Sequence, residues 1–124
     1  MKKLFTIFLI LLAIGCSNED ESGDAQVTCS EEFIYGLSVE VRNATTASLI
    51  TSGIEVTAQD GEYTETLELA TDVYVGAGER SGVYTLTISG DGFVTQETDA
   101  ITVVLTADNC HVVTQEVSVA LVPN

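Results

Sequence analysis

The sequence predicts an all-β protein, a sandwich of about seven strands in antiparallel or mixed sheets. Three observations predict it. From residue 33 onward apolar and polar residues alternate with a period of two, which turns one set of side chains toward a core. The alternating runs are rich in Val, Ile, Thr and Tyr, whose branched or aromatic side chains suit a pleated, half-buried surface. Turn-forming Gly, Asp and Ser separate the runs at intervals of roughly 8–12 residues. After residue 15 no segment carries a sustained helical stripe.

Ahead of the sandwich stand two elements of another kind. Lys2 and Lys3 precede the apolar run LFTIFLILLAI at residues 4–14, and Gly15-Cys16 follows it. A basic start, a short apolar centre and a small residue before the cut describe a secretory signal peptide with a helical core, residues 1–15. The run is also short for a helix that must cross ~30 Å of hydrocarbon. With a cysteine directly after the small residue, the segment resembles the lipobox of a bacterial lipoprotein precursor. That resemblance implies cleavage after Gly15 and lipidation of Cys16. It departs from the usual pattern in having Ala13, with Leu12 one place earlier, where leucine is normal. Residues 17–28 then form an acidic tether, with Glu19, Asp20, Glu21 and Asp24 among Ser, Asn, Gly and Gln. Such a segment holds too little apolar surface to offset the entropy of ordering it. Ten flexible residues span about 17 Å. The acidic cluster after the lipidated cysteine resembles the surface-export signal of Bacteroidota lipoproteins.

The body, residues 29–124, follows in order. Leu37, Val39 and Val41 alternate with Ser38, Glu40 and Arg42, and a Thr/Ser-rich connection covers residues 43–52. Ile54, Val56 and Ala58 form the next run, closed by the Asp60-Gly61 hairpin signal, whose turn needs positive φ. Tyr63, Glu65, Leu67 and Leu69 share a face of a single following strand. Residues 70–82, with Gly76, Gly78 and Gly82, read as the longest irregular segment. Tyr84, Leu86 and Ile88 define a strand that Asp91-Gly92 turns into another at 93–98. Ile101, Val103 and Leu105, then Val113, Val117, Val119 and Leu121, complete the set.

The stretches DGEY (60–63), ERSGVYTLTISGDGF (79–93) and DNCHVVTQEVSVAL (108–121) resemble the carboxypeptidase regulatory-like domains. Those are small transthyretin-like (prealbumin-like) sandwiches of exported proteins. The Gly82–Ile88 core and the Gly92-Phe93 turn carry most of the likeness, which extends over roughly residues 30–123. It implies a fold and an accessory role, and no peptidase activity, because in multidomain peptidases the catalytic domain is a separate one.

Charge and chemistry narrow the function further. The chain has 19 acidic residues, four basic ones and a formal net charge of −15. Loss of Lys2 and Lys3 with the signal peptide makes the charge more negative still. Nucleic acid is excluded as a partner, since its binding depends on Lys and Arg. With Cys16 lipidated, Cys29 and Cys110 are left as a pair, read as a disulfide in an oxidising compartment, the alternative being two free thiols. His111 is the only histidine. As a strand-start residue beside Cys110 its side chain falls on the opposite face from the cysteine, and it reads as a structural surface residue. A zinc site lacks ligands at usable spacings. Asp60, Glu62, Asp91 and Asp108 sit in turns that calcium could use, yet no D-x-D-x-D-G loop occurs. No phosphate-binding glycine loop is present, and no cofactor is expected. Within the 72–80 segment, Tyr74 and Arg80 are the candidate ligand contacts, the arginine having neighbouring acids as alternative partners.

The sequence reading is therefore a non-catalytic, exported lipoprotein of the cell envelope. Its anchor sits in the outer membrane, with the periplasmic or outward-facing leaflet left open, and its partner is a protein or a carbohydrate. The alternative is a small ligand, calcium or carbohydrate carrier, or a small hydrolase of transthyretin-like fold.

Overall fold

In the computed structural model the described residues are 28–124. The signal segment 1–15, the lipidation site Cys16 and the tether up to residue 27 lie outside the described residues. The body is all-β, with nine strands in two facing sheets: β1 (Tyr35–Asn43), β2 (Ile54–Asp60), β3 (Tyr63–Thr66), β4 (Glu68–Ala70), β5 (Val73–Gly78), β6 (Gly82–Gly90), β7 (Gln96–Glu97), β8 (Ile101–Val103) and β9 (Gln115–Leu121). One sheet has the order β4-β5-β1-β9. The other runs β3-β2-β6, with β7 and β8 both paired to β6. All pairings are antiparallel except that of β1 with β9, where Leu37 faces Gln115 and Asn43 faces Leu121.

The alternation seen in sequence becomes the core. Leu37, Val39 and Val41 from β1 and Val119 and Leu121 from β9 meet Val56 and Ala58 from β2 and Tyr84, Leu86 and Ile88 from β6. Burying each large aliphatic side chain contributes about 1.5–3 kcal/mol. Leu67, Tyr74, Ala77, Val103 and Val112 complete the buried set.

Four strand assignments are corrected. The Tyr63–Leu69 run is two strands, because the chain changes sheet at Leu67. There the Leu67 N–H donates to the Val56 carbonyl at 2.8 Å, while β4 pairs with β5 in the opposite sheet. The supposed irregular segment 70–82 contains β5, which pairs with β1 and β4. Its glycines are there for close approach: a Cβ on Gly76 would lie 2.7 Å from Leu67 Cγ, and one on Gly78 would overlap the ring of Phe33. The strand expected at 93–98 is reduced to Gln96–Glu97. Along the edge of β6 the partner chain takes one residue more between Glu97 and Val103 than β6 takes between Thr87 and Gly82. At this bulge the Thr98 hydroxyl replaces a backbone acceptor and receives the Leu86 N–H at 3.0 Å. Finally, β9 begins at Gln115, so Cys110 and His111 stand in the turn before it and not on the strand itself.

Candidate functional site

Three segments converge at the end of the sandwich where the chain enters. Residues 28–34 lead into β1, Glu79 directly follows β5, and the Leu105–Val112 bridge closes a turn between β8 and β9. Cys29 and Cys110 are joined by a disulfide, with their Cα atoms 5.3 Å apart. The expected pairing is present, and it brings the next residue of each arm, Ser30 and His111, face to face.

Ser30 Oγ lies 2.9 Å from His111 Nε2, and His111 Nδ1 lies 2.6 Å from Glu79 Oε2. The same carboxylate oxygen accepts the Ile34 N–H at 2.9 Å, while the Glu79 N–H donates to the Ile34 carbonyl at 2.8 Å. Partial burial pushes the Glu79 carboxyl up. The hydrogen bonds from His111 and Ile34, the charge of His111 and a further N–H from Val112 outweigh it and hold the group below its ordinary range. An ionised carboxylate only accepts hydrogen bonds, so Nδ1 carries the proton toward Glu79. In the neutral ring Nε2 is then the acceptor for the Ser30 hydroxyl. The order is hydroxyl, imidazole, carboxylate.

The backbone is shaped around this chain of contacts. Glu79 has φ 51° and Ala77 φ 54°, left-handed conformations that cost a non-glycine residue free energy and persist where surrounding contacts enforce them. The turn bearing His111 is closed by its own bonds. The Thr106 N–H donates to the His111 carbonyl at 2.7 Å, and the Thr106 hydroxyl and Cys110 N–H both donate to Asp108, at 2.6 and 3.0 Å. Those two bonds hold the Asp108 carboxyl below its usual value. Phe33, 61% exposed, covers Gly78 next to Glu79, with Tyr35 edge-on at 5.1 Å between ring centroids.

The two residues singled out as ligand contacts are not brought together. Tyr74 is buried, and its hydroxyl donates to the Ile50 carbonyl at 3.1 Å; burial raises its pKa. Arg80 lies over the Tyr63 ring at 3.6 Å and donates to Asp60 at 3.0 Å and to the Tyr84 hydroxyl at 2.9 Å. Those two partners raise its pKa, the Tyr84 bond contributing most. It completes an internal cation–π stack and so is spoken for within the fold. Of the turn acids considered for calcium, Asp60 pairs with Arg80 and Asp108 caps its own turn. Among the described residues no group of three or more His, Cys, Asp or Glu side chains is arranged to hold a metal.

Elsewhere a shallow depression of about 320 Å³ opens on the outer face of the β4-β5-β1-β9 sheet, lined by Ser38, Glu40, Val73, Glu116, Val117 and Ser118. None of the Ser30, His111 and Glu79 group lines it. Sequence reasoning found His111 and the cysteines but missed Ser30 and Glu79. The usable signal was adjacency: a Cys29–Cys110 bridge places the next residue of each arm, Ser30 and His111, close in space.

The two facing sheets define a β-sandwich. No family model matches the chain, and neither does any curated protein.

Proposed function

We propose that this is an exported lipoprotein of the cell envelope, held in the outer membrane through Cys16, whose sandwich is a carboxypeptidase regulatory-like interaction module working by contact on a protein or carbohydrate partner. The observation that carries the reading is the locked chain entrance. A disulfide, the Ser30–His111 contact and the reciprocal Ile34–Glu79 bonds fasten residues 29–34 to the body. A module on a tether benefits from such a fixed attachment point, because only the tether then sets its reach. Acyl chains contribute ~0.8 kcal/mol per buried CH₂, enough in combination to make anchoring stable.

Growth of the expressing cells on labelled palmitate tests the anchor. The wild type is expected to take up label and to partition with membranes. In Cys16→Ser the label should vanish and the protein should be released. Label persisting in that variant refutes lipidation at Cys16.

One observation favours a second reading, the small hydrolase. The Ser30, His111 and Glu79 contacts follow the nucleophile, base and orienting-acid order of acyl-transfer enzymes. Ester turnover that disappears in His111→Ala would replace contact by catalysis as the working principle.

A further inference from the structure

We propose that Ser30, His111 and Glu79 form an acyl-transfer relay open to solvent, selective for uncharged or cationic esters over anionic ones. This rests on the hydrolase reading and adds to it the substrate class. Two features argue for the relay itself. The disulfide joins the residues immediately before the nucleophile and the base, so the pair is held in register covalently. The acid is fixed independently of the histidine by the Ile34 N–H, so the imidazole is oriented before any substrate arrives.

The chemistry balances with water alone. The Ser30 Oγ attacks the ester carbonyl carbon while its proton passes to His111 Nε2, and the ionised Glu79 offsets the imidazolium charge. As the tetrahedral adduct collapses, the bond to the alcohol oxygen breaks and that oxygen takes the proton from Nε2. Water then attacks the acyl-Ser30 carbonyl and gives a proton to Nε2. Ser30 leaves with that proton, and a carboxylic acid is released. Ester and water become acid and alcohol.

The surroundings set the selectivity. Glu31 and Glu32 follow Ser30 directly, Glu79 is part of the relay, and Asp108 lies in the turn that carries His111. Among the described residues the two arginines are both paired with carboxylates, Arg42 with Glu40 and Arg80 with Asp60. An anionic ester therefore approaches several like charges without a free cation to receive it, whereas a cationic one is drawn in. Phe33 and Tyr35 offer an apolar surface beside Glu79 for a short acyl or alkyl group. The Ser30 hydroxyl is exposed, so an ester reaches it directly from solvent.

The test uses the full chain. A neutral fluorophosphonate is added and the modified residue located by mass spectrometry. Turnover is then measured with three acetyl thioesters: cationic acetylthiocholine, neutral S-ethyl thioacetate and anionic S-acetylthioglycolate. Label is expected on Ser30, absent in Ser30→Ala and lowered about tenfold or more in His111→Gln and Glu79→Gln, a modest share of what general-base assistance contributes. Ser30→Ala removes an exposed hydroxyl and its bond to His111 but no buried group, so loss of label there with an unchanged circular dichroism spectrum excludes misfolding as the cause. The cationic thioester is expected to exceed the anionic one by about tenfold in kcat/KM at low salt, with the ratio collapsing at high salt as screening shortens the reach of the carboxylates. Absence of label on Ser30 in the folded wild type overturns the relay. Label on Ser30 with equal rates for the three thioesters, or a preference that ignores salt, leaves the relay standing and overturns the selectivity.

Discussion

Glu79 ties the entrance of the chain to the turn that bears His111. It holds a left-handed backbone conformation, receives the Ile34 N–H and orients His111. Its carboxyl is held below the ordinary value of 4.5 in the folded protein. A carboxyl whose folded pKa is depressed stabilises the fold fully above the unfolded value, and that stabilisation is lost as pH falls through the folded one. Thermal melts across acidic pH should therefore show the wild type losing stability from about 4.5 downward. Glu79→Gln should start lower at neutral pH and show a shallower acid slope. An identical slope in the two proteins would mean that the Glu79 contacts are not coupled to folding. None of this was legible in the sequence. His111 could be seen as the lone imidazole, but its partners come from residues 81 and 32 positions away. The disulfide gives a hint of Ser30 alone, through its adjacency to Cys29, and none of Glu79.

At the scale of elements, period-two alternation identified β1, β2, β6 and the second half of β9, because each has one face on the core and one in water. It failed where the physics was not alternation. Glycines at 76 and 78 read as breakers, yet they lie in β5 because Leu67 and Phe33 need the space that a side chain would fill. The change of sheet at Leu67 was invisible because the leucine stays in phase with Tyr63 and Glu65 while its neighbours exchange partners. Gly76→Val tests the close-approach argument directly. Overpacking at this point should lower stability by about 1–3 kcal/mol, read as a lower urea midpoint with an unchanged slope. A neutral result would show that Leu67 can move aside freely and that the glycine is not required there.

At the scale of the molecule, β1 and β9 are neighbours running in the same direction, so both begin at the end where residues 28–34 enter the body. The disulfide closes that end across a sequence separation of 81 residues. By the chain-entropy argument a loop of this length contributes about 4 kcal/mol, acting on the unfolded chain. The paired alternation of β1 and β9 does not depend on the bridge, so the Cys29→Ser/Cys110→Ser variant should still fold, with a lower melting temperature. Its local effect should be larger than its global one. Once the bridge is gone, residues 29–33 are held mainly by the Ser30–His111 contact and by Phe33 lying on Gly78, and segments with few buried contacts open at low free energy. Glu31 and Glu32 are both exposed there, which makes a glutamate-specific protease a direct reporter. Cleavage after these residues should be slow in the oxidised protein and fast in the double variant under conditions where both remain folded, while Glu55 and Glu65 within strands stay protected in both. Equal cleavage rates at Glu31 and Glu32 would mean that the hydrogen bonds alone secure the entrance, and that the bridge serves only the unfolded chain.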